Sequence, residues 1–289
     1  MTAEARRNYR KLLVAIDGSQ ASMHALKESF RLASCDKCWI TVTSVVPAYE
    51  GELELIAVKN IRSLMRQPCE EALGQAAELA RQSGALIKSV CEEGEIHERI
   101  IDLAEAENCD LIIMGRTGHN KFDRQLIGNV TARVIGYGRT DVLVVPDGAP
   151  IGWERIMVAT DGSRFSAAAS QKAMDFARAY GSALTVVSVV DMPAEFYAEA
   201  PEVMEDIIGN AKRYVEEVCR QAEAAGIRAD SFVREGGAWE TIAGLAREQK
   251  IEMIIMGSHG RTGLKRLLMG SVAEKVIGHA PCPVLVARL

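Results

Sequence analysis

A set of short blocks occurs twice in this chain, in the same order, and that repeat limits the possible folds more than any other feature. Lys11-Leu12-Leu13-Val14-Ala15-Ile16-Asp17-Gly18-Ser19 returns as Arg155-Ile156-Met157-Val158-Ala159-Thr160-Asp161-Gly162-Ser163. The block from Asp110 to Gly118 returns as Glu252 to Gly260, and Asp141 to Val145 returns as Pro283 to Ala287. A repeat with a spacing of about half the chain is far longer than a solenoid unit and reads as a duplicated domain. The seam falls in Pro146-Asp147-Gly148-Ala149-Pro150-Ile151-Gly152, a turn-rich linker. The expected domains are therefore 1–147 and 152–289, each long enough to bury its own core.

Within each half, short and nearly all-apolar runs alternate with amphipathic stretches. The strands expected in the first half are 11–16, 39–46, 86–92, 111–115 and 142–145. Its expected helices are 22–33, a long region over 53–83 broken or kinked at Pro68, 96–107 and 130–137. The second half repeats the plan, with strands at 155–160, 184–190, 228–234, 253–257 and 284–287. Its helices are expected at 166–180, 201–225, 239–248 and 272–279. Uninterrupted apolar strands separated by helices mark a parallel sheet covered on both faces. The fold class is α/β: two doubly wound domains, each with five parallel strands. Ligands of such sheets sit beyond the carboxyl ends of the strands, where strand order reverses.

Composition excludes several functions. The net charge of −5 does not suit a nucleic-acid-binding surface, and no apolar run is long enough to span a bilayer. The polar N-terminus has no signal-peptide core behind it, which makes the cytoplasm the expected compartment. Seven irregularly spaced cysteines are expected to be reduced thiols, and Cys35-Asp36-Lys37-Cys38 lacks the second Cys/His pair of a zinc site. No metal site is expected.

The chemistry concentrates after the fourth strand of the second half. Met253–Met256 leads into Gly257-x2-Gly260-x9-Gly270-Ser271, and a helix follows with Ser271 near its N-cap. Glycines allow close backbone approach to a ligand, and the free amides of a first helical turn favour a phosphate. Neither a Walker-type loop nor a dinucleotide fingerprint follows the first strand of either half. Of the five histidines, four have no acid/base partner near them in sequence, and His259 has only Ser258 and Arg261 close by. A general base is not supported.

The spacing, the aspartate ending the first strand and the closing Pro-Val-Leu-Val strand together resemble the universal stress protein family, over nearly all of both halves. The resemblance implies a flavodoxin-like fold with strand order 3-2-1-4-5 and binding of ATP, with Mg2+ as a companion held through the phosphates. Carried over, it places Asp161 and the backbone of Val189 against adenine, and Gly257 by the ribose. Gly260, Gly270, Ser271 and Val272 would hold the phosphates, with His259 as a further phosphate contact. The alternative for Asp161 is a turn or capping aspartate. A second site would comprise Asp17, Val45, Gly115, Gly118, Gly128, Asn129 and Val130. There Asn129 replaces the Ser/Thr and Arg116 replaces Ser258, so the second half is expected to be the main site. Lys121 and Arg124 are either phosphate contacts or a solvated loop face.

The family also pairs domains through their last strands, 142–145 and 284–287 here. The two halves would then mimic a family dimer, and homodimerisation is a further possibility. The leading expectation is an ATP-binding stress-response protein acting as regulator or protector, with at most slow hydrolysis. The rivals are a scaffold or small-molecule binder of the same fold and, third, an ATP-dependent transferase.

Overall fold

Runs rich in Val, Ile and Leu form the strands because a doubly covered sheet buries every side chain along them. Leu12, Leu13 and Val14 are wholly buried, as are Leu111, Ile112 and Ile113. Each such residue contributes about 1.5–3 kcal/mol relative to exposure. The computed structural model describes residues 9–36, 38–48, 61–118, 127–193, 199–261 and 268–289. The chain forms two compact units, one containing Tyr9–Arg124 and Gly128–Gly148, the other Ala149–Leu289.

The first unit runs β1 (Lys11–Ala15), α1 (Gln20–Asp36), β2 (Trp39–Val46), α2 (Ile61–Ser83), β3 (Ile87–Glu93), α3 (Ile96–Ala106), β4 (Leu111–Gly115), α4 (Asn129–Tyr137) and β5 (Asp141–Val145). The second runs β6 (Arg155–Ala159), α5 (Arg164–Tyr180), β7 (Ala183–Val190), α6 (Pro201–Ala224), β8 (Ala229–Glu235), α7 (Ala238–Glu248), β9 (Met253–Gly257), α8 (Ser271–His279) and β10 (Val284–Ala287). Strand order is β3-β2-β1-β4-β5 in the first unit and β8-β7-β6-β9-β10 in the second. The pairs within each unit are parallel. Each unit is thus the α/β, flavodoxin-like sheet with the 3-2-1-4-5 order. The reversal falls between β1 and β4, and again between β6 and β9.

Local chemistry sets the element ends. The Ser163 hydroxyl caps α5 by accepting from the Ser166 amide at 3.2 Å. The same helix stops at Gly181, whose φ of 72° suits glycine, with its amide bonded to the Ala177 carbonyl at 2.8 Å. β3 begins at Ile87 and not at Leu86, which is 87% exposed and lies outside the pairing with β2.

Two expectations are corrected here. Pro68 does not break α2, which is helical from Ile61 to Ser83 with the proline inside it. Pro68 lies at an exposed position of the helix. The part of the expected helix before Ile61 lies outside the described residues. Nor are all the cysteines reduced: Cys69 on α2 and Cys91 on β3 form a disulfide. Packing of α2 on β3 brings their Cα atoms to 6.2 Å, within disulfide reach although 22 residues separate them. Cys38, Cys109, Cys219 and Cys282 remain thiols.

Candidate functional site

At the switch point of the second unit, the end of β6 meets the loop leaving β9. Asp161 spends both carboxylate oxygens there. Its Oδ1 accepts from the Ser163 amide at 3.0 Å, closing a tight turn around Gly162, whose φ is 77°. Its Oδ2 accepts from the Arg261 amide at 2.9 Å, and the Arg261 Nε donates to the Asp161 carbonyl at 2.6 Å. Asp17 makes the same turn in the first unit, accepting from Ser19 at 3.0 Å. The turn-aspartate role is therefore present in both halves.

The glycines divide into two kinds. A Cβ on Gly257 would stand 2.8 Å from the backbone of Phe165, and one on Gly115 would stand 2.9 Å from that of Ala21. These two residues are glycine so that α5 and α1 can press onto the sheet. Gly260 and Gly118 are crowded by the aspartates: a Cβ would lie 2.7 Å from Asp161 Oδ2 and 2.5 Å from Asp17 Oδ2. Gly270 differs. Its φ of −68° and ψ of 143° are open to any residue, and among the described residues a Cβ would meet nothing nearer than His259 Cα at 3.4 Å. Gly128 is equally uncrowded, with its nearest neighbour at 3.7 Å.

Gly270 is itself the N-cap of α8, which makes Ser271 the first helical residue and not the cap; Gly128 and Asn129 stand in the same relation to α4. Helical geometry starts one residue earlier than expected because the Gly270 carbonyl already accepts from Glu274 at 3.0 Å. Glycine has no side chain to cap its own helix, so neither Gly270 nor Gly128 satisfies the first-turn amides at Ser271 and Val272, or at Asn129 and Val130. The Gly270 amide bonds the Ser258 carbonyl at 2.9 Å, fixing the helix start beside Gly260. Val189 lies at the carboxyl edge of its own unit's sheet, two residues beyond the pair Ala159–Val187, and Val45 lies likewise in the first unit, beyond Ala15–Thr43. The structure thus gathers Asp161, Gly257, His259, Gly260, Gly270, Ser271 and Val272 around one strand-end corner. Lys121 and Arg124 lie outside the described residues.

Several neighbours of this corner were not evident in the sequence. The Tyr214 ring from α6 lies against Gly162, and the Arg261 guanidinium sits over that ring at 4.8 Å. Arg288 follows β10 and donates to the Ser258 hydroxyl at 3.1 Å, while that hydroxyl lies 3.1 Å from His259 Nδ1. Ser258 is buried between the arginine and the adjacent histidine. The first unit exchanges these positions. Arg116 stands where Ser258 does, and Pro146 stands where Arg288 does, after strands paired through Gly115 and Val145. Burial lowers the Arg116 pKa, and Asp147 partly offsets this. Asp191 serves another purpose, accepting from the Ala238 amide at 3.0 Å to cap α7. One histidine expected to lack an acid/base partner has one: His97 Nδ1 lies 3.0 Å from Glu95, which also holds Arg133. Among the described residues, no three His, Cys, Asp or Glu gather as a metal site, and no helix is long and apolar enough to cross a membrane.

In a parallel α/β unit, a glycine-bearing loop that leads into a helix N-terminus at the switch point is a place where an anion can be received. The model of the universal stress protein family matches residues 8–146 and again 152–288, and the chain belongs to that family as a tandem of two domains. Universal stress protein MJ0531 of Methanocaldococcus jannaschii is 34% identical over 142 residues, covering 47% of this chain and 82% of its own length. YxiE of Bacillus subtilis is 27% identical over 150 residues, covering 47% of this chain and 99% of its own. A crystal structure of a universal stress protein from Archaeoglobus fulgidus shares the fold, with a TM-score of 0.72 and 24% identity over 98% of this chain and 97% of its own.

Proposed function

We propose that the second unit holds an adenine nucleotide, ATP, and that the chain acts in the cytoplasm as a nucleotide-occupied regulator or protector. The observation that carries this reading is Gly270. Among the described residues, neither packing nor backbone requires glycine there, in contrast to Gly257. A residue kept small beside first-turn helix amides suits close approach of a phosphate. The Ser271 hydroxyl adds a donor that Asn129 would replace with an amide in the first unit. On this reading Asp161 and Val189 border the adenine, Gly257 the ribose, and His259, Gly260 and Val272 the phosphates. Mg2+ would be carried by the phosphates. The hydroxyl–imidazole contact at the corner, Ser258 with His259, lies at a buried serine, which supports binding over turnover.

Isothermal titration of ATP into the wild type, Gly270→Val and Gly128→Val tests the reading. Gly270→Val is expected to abolish most binding and Gly128→Val to leave most of it. Unchanged affinity in Gly270→Val would reject the site, and equal losses would reject the asymmetry. Mass spectrometry of ligand released from the purified protein separates ATP from any other small molecule.

A further inference from the structure

We propose that Cys69 and Cys91 are a redox-responsive modification site, a reversible clasp that sets how tightly α2 is held to β3 at the edge of the first unit. The inference rests on the placement of the pair and on a comparison that the duplicated chain itself provides, and it does not depend on nucleotide binding.

β3 lies at the end of its unit's strand order and is covered thinly: Cys91 and its neighbours along the strand are half-buried or exposed. Cys69, by contrast, is 2% exposed on the inner face of α2. The disulfide therefore joins a buried helix residue to a strand residue that a small reagent can reach.

The second unit shows what the same place looks like without the bond. Cys91 pairs in register with Ser44 on β2, and Val233 pairs likewise with Ser188 on β7. Cys69 lies as far before Ala80 as Ala211 does before Ala222, and those two alanine carbonyls close their helices in the same way, on Ala85 and Ile227. Cys69 and Cys91 thus correspond to Ala211 and Val233. These two belong to an apolar cluster with Val190, Met204, Ile207 and Ile208. The nearby Cys219 on α6 faces Ser231 and not a second cysteine. The topology closes with plain apolar contacts at this position, so the bond is not needed to form the fold. A covalent link that one copy of a domain carries and the other does without is suited to being opened and closed. Ser44 immediately precedes Val45, so the clasp also adjoins the C-terminal end of β2.

Opening requires a dithiol reductant and closing a disulfide oxidant. In the opening direction, a reductant thiolate attacks Cys91 Sγ, the protein S–S bond breaks, and Cys69 departs as a thiolate that takes up a proton. The second thiol of the reductant then displaces Cys91, which is also protonated. The protein gains two electrons and two protons, and the dithiol becomes a cyclic disulfide. Closing is the reverse. Glu92 and Glu93 follow Cys91 directly, so an uncharged reagent such as dithiothreitol and its cyclic disulfide is the appropriate probe.

The test equilibrates the full chain in reduced and oxidised dithiothreitol, maps linkages by peptide mass spectrometry and follows amide hydrogen exchange. The expected result is a Cys69–Cys91 peptide in the oxidised sample only. Exchange in β3 and around Cys69 in α2 should be at least about tenfold faster after reduction, with β8 and α6 unchanged. The variant Cys69→Ala/Cys91→Val, which copies the second unit, should fold and show the same exchange in both buffers. Absence of the linked peptide, equal exchange in the two redox states, or a variant that still responds would each overturn the proposal.

Discussion

Replacing Gly257 and Gly270 by alanine, one at a time, should separate packing from ligand binding. At Gly257 the new methyl would stand 2.8 Å from the carbonyl carbon and oxygen of Phe165. Those are backbone atoms, so α5 or β9 must move. Overpacking of this kind costs about 1–3 kcal/mol, which lowers the melting temperature by roughly 2–12 °C in a domain of this size. At Gly270 the methyl would meet no described residue nearer than 3.4 Å, in an ordinary backbone conformation. The only penalty is the poorer N-cap preference of alanine, about 1 kcal/mol or less. Nucleotide affinity should reverse the order for Gly270, where a methyl beside the helix amides intrudes where the phosphate would lie. A loss of about tenfold or more, equivalent to about 1.4 kcal/mol, is expected. Calorimetric unfolding without ligand and titration with ATP read the two quantities separately. The reasoning fails if Gly270→Ala melts as low as Gly257→Ala, or if it binds ATP as the wild type does.

Other outcomes follow from single contacts. Asp191→Ala should destabilise the protein by about 0.5–1 kcal/mol through loss of the cap on α7, whereas a neutral effect in urea denaturation would deny the cap any energetic role. Burial pushes the Cys109 thiol up to about 11 and the Cys282 thiol up to about 12, from an ordinary value of 9.0. Iodoacetamide at pH 8 should therefore spare both in the folded protein. Because the folded-state values are raised, the stability they contribute is complete below pH 9.0 and declines as pH rises towards 11–12. A denaturation series between pH 8 and 12 that shows no such decline would contradict it.

The repeat and the strands were legible because a doubly buried parallel strand must be apolar at every position, and Met253–Gly257 and Leu111–Gly115 end where the sequence suggests. Helix starts were blurred by a residue or two, because Gly270 and Gly128 cap without a side chain to announce it. What the sequence hid depends on the phase in which one element meets another. Cys69 finds Cys91 only once α2 lies on β3, and nothing near Arg288 in sequence points to Ser258. Tyr214 is likewise an ordinary helix residue until Gly162 beneath it leaves room for its ring. Asp161 was legible as important, and its two bonds, to Ser163 and Arg261, show a structural task that the motif alone does not distinguish from ligand contact.

The exchange of Arg116 and Pro146 for Ser258 and Arg288 bears on how the two halves could be recombined. Each half carries one arginine at its own strand end, just after β4 in the first case and beyond β10 in the second. A chimaeric domain joined between the fourth and fifth strands would inherit both guanidinium groups or neither. Two would repel one another, and with none the buried hydroxyl of Ser258 would lose its donor. Crossovers on either side of that segment keep the pair together. The two copies therefore behave at this corner as alternative alleles of a linked pair, interchangeable as a pair but not residue by residue.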